Sequence, residues 1–117
     1  MKILIVDDNK DICLLIESIL LSEGYDVESC CNRAEFQEKL QSGQPELIIT
    51  DMLMSGFDGR TLTKEIKSDP KKKDIKIIMM SAHPDAKKIC EDIGVDDFLS
   101  KPFEIDVLIS KVEKLLT

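Results

Sequence analysis

Three acidic residues and one lysine stand immediately behind apolar runs in this chain. Asp7 and Asp8 follow Lys2 to Val6, Asp51 follows Leu47 to Thr50, and Lys101, with Pro102 behind it, follows Asp97 to Ser100. If those runs are parallel strands of one sheet, all four side chains emerge at a single edge, where open α/β folds place their chemistry. Carboxylates clustered at a strand end suit a hard divalent cation, and a nearby ammonium suits a phosphoryl group.

The elements that must position these groups alternate in period. Ile3 to Val6, Leu47 to Ile49 and Ile77 to Met80 are continuous apolar runs. Continuous rather than alternating hydrophobicity predicts strands buried on both faces, as in a parallel sheet. Shorter runs at Tyr25 to Val27 and Phe98-Leu99 complete five expected strands. Between them lie helical stripes. Ile12, Leu15, Ile16, Ile19 and Leu20 predict a first helix stopped at Gly24. Ala34, Phe36 and Leu40 predict a short second helix ending near Gly43. Leu62 and Ile66 predict a third, ending at Asp69-Pro70; Ala86, Ile89, Cys90 and Ile93 a fourth, ending at Gly94. Ile105, Leu108, Ile109, Val112, Leu115 and Leu116 predict a long fifth. A fivefold β-α alternation implies a doubly wound parallel sheet between two layers of helices, with right-handed crossovers.

The 117 residues suffice for one domain with a single core. A net charge of −7 disfavours non-specific binding to nucleic acid or to an anionic membrane, and favours cations and basic partner surfaces. No apolar run approaches the roughly 20 residues of a membrane span, and Met1-Lys2 leads straight into a strand, so neither a span nor a signal peptide is expected. Cys13, Cys30, Cys31 and Cys90 lack metal-ligand spacing and are expected to be reduced, mostly buried thiols of a cytoplasmic protein. A redox role for the Cys30-Cys31 pair is the minor alternative. Lys71-Lys72-Lys73 reads as a solvated loop.

The chain resembles, from end to end, the receiver domain of two-component response regulators, the stand-alone type in particular. Five spaced features carry the resemblance: Asp7-Asp8, Asp51, Asp58-Gly59, Ser81-Ala82 and Lys101-Pro102-Phe103. It implies a flavodoxin-like (βα)5 fold with strand order 2-1-3-4-5, the whole span 1–117 forming one receiver domain. It implies that Asp51 is a phosphoacceptor, taking a phosphoryl group from the phosphohistidine of a histidine kinase or histidine phosphotransfer protein. Asp7, Asp8 and Asp51 then hold Mg²⁺, for which Mn²⁺ can substitute, with the Leu53 backbone carbonyl as a further ligand. Lys101 and the Ser81 hydroxyl contact phosphoryl oxygens, small Ala82 leaves room for them, and Ser81 with Phe98 forms the switch. The Lys101-Pro102 bond is cis in this family, which orients Lys101. A downstream protein target, a monomeric state and no direct contact with nucleic acid or membrane complete the expectation.

Some positions depart from the family pattern. Phe98 stands where tyrosine is common, so a ring can swing but offers no hydroxyl. Ser55 replaces a frequent proline, which implies a more mobile loop from Met52 to Gly59; within it Met52, Met54 and Phe57 read as core rather than as a contact surface. Leu53 and His83 occupy positions that tune hydrolysis. Neither Leu53 nor its neighbours offers a group to orient water, so a long-lived phosphoryl group is expected. The stretch from Ser81 to Lys101 is slightly short, which puts in doubt the usual output face on the fourth helix, fifth strand and fifth helix. Partner specificity is expected at Asp11, Cys13, Leu14, Pro102 and Phe103. The chain's end just after the fifth helix is expected either of a stand-alone protein or of a receiver piece excised from a larger regulator or hybrid kinase, and the sequence does not separate the two.

Each residue alone has a plainer reading: Asp8 or Asn9 as a helix N-cap, Asp51 as a loop acid, Lys101 as a surface lysine. Other classes fit less well. An aspartyl phosphatase needs D-x-D on the first strand and a cap, where this chain has Asp7-Asp8-Asn9-Lys10. A flavin or nucleotide carrier needs a glycine- or hydroxyl-rich phosphate loop there, and these acids repel phosphate. An inert module would not need Asp51, Ser81 and Lys101 together.

Overall fold

The computed structural model describes residues 2–54 and 56–117. Ser55, the expected source of loop mobility, lies outside the described residues. Strands β1 (Lys2–Val6), β2 (Asp26–Cys30), β3 (Leu47–Asp51), β6 (Lys76–Ser81) and β7 (Asp97–Ser100) form a five-stranded sheet in the order β2-β1-β3-β6-β7. Every pairing is parallel. Counting only these sheet strands, the order is the expected 2-1-3-4-5.

The continuous apolar runs are buried on both faces because helices cover both. On one side Ile3, Ile5, Leu47, Ile49, Ile78 and Met80 pack against α1 (Lys10–Ser22) and α5 (Ile105–Leu116) through Ile16, Leu20, Leu108 and Val112. On the other, Leu4, Val6, Ile48 and Ile77 meet Phe36 of α2 (Arg33–Ser42) and Leu62 and Ile66 of α3 (Gly59–Ser68). Met52 and Met79 pack there against Ala86 and Cys90 of α4 (Ala86–Ile93). The alternation of odd and even strand residues between the two layers follows from the period-2 geometry of a strand.

Four local details differ from expectation. β2 begins at Asp26 and runs on to Cys30, because register with β1 carries the mixed segment Glu28-Ser29-Cys30 along. Likewise β7 extends one residue beyond Phe98-Leu99 at each end. The buried stripe of α1 is turned slightly, so Cys13 is buried and Leu15 is exposed. The segment after β3 contains a short antiparallel hairpin of β4 (Leu53–Met54) and β5 (Phe57–Asp58). A hairpin of two-residue strands has too few positions to show a period. Met52 and Phe57 are buried and Met54 packs against the core, as expected.

Helix ends follow local chemistry. Asn9 Oδ1 accepts from the Asp11 and Ile12 N–H groups at 2.9 and 3.3 Å and starts α1 immediately behind the acidic pair. Gly94 closes α4 in a left-handed conformation (φ 80°, ψ 32°), which glycine adopts without a Cβ clash. No helix among the described residues is long and apolar enough to cross a membrane.

Candidate functional site

At the C-terminal edge of the sheet, the ends of β1, β3, β6 and β7 bring together the residues singled out in the sequence. Carboxylate oxygens of Asp7, Asp8 and Asp51 lie within 4.8 Å of one another. Asp7 is almost wholly buried and Asp8 is exposed. The Lys101 ammonium donates to Asp7 Oδ2 at 2.9 Å and sits 3.2 Å from Asp51 Oδ1. It thus ties the first strand to the third from the end of the last.

Backbone contacts lock this edge. The Asn9 N–H donates to Asp7 Oδ1 (2.9 Å) and fixes the carboxylate. The Asp7 N–H donates to the Cys30 carbonyl (3.2 Å), and the Cys13 thiol donates to the Asp7 carbonyl (3.3 Å). The Met52 N–H donates to the Met80 carbonyl (2.9 Å), and the Lys101 N–H to the Ser81 carbonyl (3.0 Å). The Gly59 N–H donates to the Met52 carbonyl (2.9 Å) at the start of α3. A Cβ at Gly59 would collide with the Asp51 carbonyl oxygen, so the approach of α3 to the end of β3 requires glycine here.

The electrostatics of this cluster suit a cation. Burial pushes the Asp51 carboxyl above its ordinary value; the Lys101 ammonium opposes that push and the charge of Asp7 adds to it. Burial also works to lower Lys101, but its hydrogen bond to Asp7 and the charges of Asp7 and Asp51 hold it above its ordinary value. The Lys101 ammonium faces Asp7 and Asp51 together, which leaves that pair of carboxylates with an excess of negative charge. Three hard oxygen donors so close together fit a divalent cation such as Mg²⁺ or Mn²⁺.

The remaining candidates lie around this cluster. Ser81 is buried at the end of β6, and its Oγ accepts the His83 N–H at 2.9 Å. That leaves the Ser81 O–H as a donor. His83 Nδ1 accepts the Asp85 N–H at 3.1 Å, so a neutral His83 ring carries its proton on Nε2. Leu53, in β4, has an exposed side chain. Phe98 is half-buried against the packing of Met52, Met79, Ala86 and Cys90. The Lys101-Pro102 peptide is cis. Phe98, Pro102, Phe103, Val107, Lys87 and Lys111 line a groove of about 470 Å³ between α4, β7 and α5. The Asp58 carboxylate caps α3 and binds the Arg60 guanidinium at 2.7 Å, which holds its carboxyl below the ordinary value. The contact of Cys13 with the Asp7 carbonyl has no signal in the sequence, because nothing in residue order places a helix thiol against a strand end.

An open doubly wound sheet with an acidic trio and a lysine at its C-terminal edge is the arrangement of a signalling receiver domain. The profile of the family described as response regulator receiver domain matches residues 3–113, and the chain belongs to that family. It is 32% identical to the DNA-binding dual master transcriptional regulator RpaA of Synechocystis, over 98% of this chain and 48% of that protein. It is 31% identical to the regulatory protein VanRB of Enterococcus faecalis, over 98% of this chain and 52% of that one. The chain thus spans about half the length of these curated relatives. Among solved structures it resembles a two-component response regulator from Clostridium difficile (TM-score 0.88, 30% identity, 99% of this chain and 95% of that one). It also resembles the chemotaxis protein CheY4 of Vibrio cholerae (TM-score 0.88, 27% identity, 97% of both chains).

Proposed function

We propose that Asp51 is the phosphoacceptor of a two-component or phosphorelay system, and that residues 1–117 form one receiver domain. The observation that carries this reading is the Asp7, Asp8 and Asp51 cluster with the Lys101 ammonium set between Asp7 and Asp51. A carboxylate oxygen of Asp51 attacks the phosphorus of a phosphohistidine on a histidine kinase or phosphotransfer protein. The P–N bond breaks, and the product is an acyl phosphate on Asp51. Such a transfer needs alignment and charge neutralisation more than covalent help.

Asp7, Asp8, Asp51 and the Leu53 carbonyl would hold Mg²⁺. A bound Mg²⁺ supplies positive charge to the incoming phosphoryl oxygens. Lys101 supplies a second positive charge beside Asp51. The free Ser81 O–H donates to a phosphoryl oxygen, and its movement lets Phe98 turn inward. That exchange shifts a two-state equilibrium and alters the affinity of the α4–β7–α5 face for a downstream protein. With no amide or acid at Leu53 to orient water, the acyl phosphate is long-lived. The chain acts as a monomeric cytoplasmic switch that catalyses only its own phosphorylation and slow dephosphorylation, without contacting nucleic acid or membrane itself.

The test is incubation with acetyl phosphate, with and without Mg²⁺, read by intact mass against Asp51→Asn. A single phosphoryl adduct requiring both Mg²⁺ and Asp51 is expected. An adduct that persists in Asp51→Asn would overturn the assignment.

A further inference from the structure

The hairpin that carries Leu53 is held from two helices. β4 and β5 have two residues each, with Leu53 opposite Asp58 and Met54 opposite Phe57. So short a ribbon has no independent stability. On the α3 side, the Arg60 N–H and guanidinium donate to the Asp58 carboxylate. On the α2 side, the buried Phe57 ring meets the Phe36 ring at 5.9 Å, inclined by 48°. The guanidinium carbon of Arg33 lies over the same Phe57 ring, 5.7 Å from its centroid. Arg33 Nη2 is also 3.4 Å from Glu65 Oε1 of α3. Arg33 is the first residue of α2, and that first turn is fixed by Asn32 Oδ1, which accepts the Glu35 N–H at 2.9 Å. One side chain thus reaches from α2 across β5 to α3.

We propose that Arg33 is a positioning residue: its guanidinium, set over Phe57, holds the β4–β5 hairpin against α2 and so presents the Leu53 carbonyl to a divalent cation at Asp7, Asp8 and Asp51. The proposal rests on the metal reading above. A guanidinium is drawn to the negative face of an aromatic ring. The Arg33 and Glu65 side chains are 49% and 57% exposed, so their ion pair adds little to the stability of the whole fold. What depends on Arg33 is the seat of a small hairpin whose own ladder is too short to hold it. The Leu53 carbonyl carbon is bonded to the Met54 nitrogen, and Met54 is the ladder partner of Phe57. The seat of the Phe57–Met54 pair therefore sets where that carbonyl lies. A guanidinium has no acceptor to offer a cation, so its action on the site runs through the hairpin backbone.

The experiment compares the full chain with Arg33→Ala and Arg33→Lys. Mg²⁺ affinity is read by isothermal titration calorimetry, the hairpin by hydrogen exchange of the β4 and β5 amides in chelator, and the whole fold by melting in chelator. Arg33→Ala is expected to melt close to the wild type while its β4 and β5 amides exchange faster and those of the main sheet do not. It should bind Mg²⁺ about two- to fivefold more weakly, the range of an exposed cation–π contact. Arg33→Lys keeps a cation for the ring and should recover most of both losses. Unchanged exchange in β4 and β5 would overturn the proposal, as would faster exchange throughout the sheet with a matching fall in melting temperature. Faster hairpin exchange with unaltered Mg²⁺ affinity would overturn the link from Arg33 to the cation. No Mg²⁺ binding by the wild type refutes the metal reading instead, and the exchange comparison then decides whether Arg33 holds the hairpin.

Discussion

Lys101 Nζ is nearer to Asp7 Oδ2, at 2.9 Å, than to Asp51 Oδ1, at 3.2 Å, and only the Asp7 pair is almost fully shielded from water on the carboxylate side. Without a metal, Lys101 is therefore first the partner of a buried acid. Removing one member of a buried pair leaves an uncompensated charge, at a cost on the order of 3 kcal/mol. Lys101→Met is expected to lower metal-free stability by about that amount in urea unfolding at neutral pH. Saturating Mg²⁺ should restore part of the loss. A variant as stable as the wild type in chelator would mean that Asp7 does not depend on this ammonium.

Asp51 has the opposite balance. Its carboxyl binds a proton more tightly in the folded chain than its ordinary value of 3.8 reflects, first through burial and then through Asp7. The stabilising contribution of protonated Asp51 is fully present below 3.8 and is lost as pH rises through the raised folded value. In chelator, Asp51→Asn should thus match the wild type at acidic pH and gain on it as pH approaches neutrality. With Mg²⁺ the order should reverse, because the metal binds and stabilises the native wild type. Melting curves across pH, with chelator and with Mg²⁺, measure both; an Asp51→Asn protein clearly less stable than wild type in chelator at neutral pH would count against the cluster.

The parts legible in the sequence were those with a long-range physical signature. Runs such as Ile3 to Val6 and Ile77 to Met80 must be covered on both faces, and that alone predicts the parallel sheet and its edge. Asp7, Asp51 and Lys101 follow from that edge, since each stands at the end of such a run. The β4–β5 hairpin, the rotation of α1 that buries Cys13 in place of Leu15, and the extension of β2 to Cys30 were not legible. Each is decided by packing or register against a distant segment, and residue order carries no trace of either. Asp58-Gly59 was visible as a family feature, but the reason for glycine appears only in three dimensions.

That reason yields a prediction about packing. At Gly59 a methyl group would run into the Asp51 carbonyl, a backbone atom that cannot rotate away. Either α3 or the end of β3 must shift. Overpacking of this kind costs roughly 1–3 kcal/mol. Gly59→Ala should therefore be destabilised and should label with acetyl phosphate more slowly than wild type, because Asp51 itself is displaced. A Gly59→Ala protein with unchanged stability and labelling would show that the helix can move without disturbing Asp51.

Asn9 tests the other flank. Its side chain accepts two backbone N–H groups at the start of α1, while its own N–H fixes Asp7 Oδ1. The substitution Asn9→Ala removes the first function and keeps the second. Loss of an N-cap of this kind costs about 1 kcal/mol. With the backbone donor to Asp7 retained, the rise in melting temperature on adding Mg²⁺ should stay close to that of the wild type. Asn9→Asp restores an acceptor at the cap but adds a fourth carboxylate beside Asp7 and Asp8. It should recover the stability lost in Asn9→Ala when Mg²⁺ is present and less of it in chelator, since like charges repel in the metal-free cluster. Equal recovery in both conditions would mean that Asn9 faces only the helix and takes no part in the charge balance of the site.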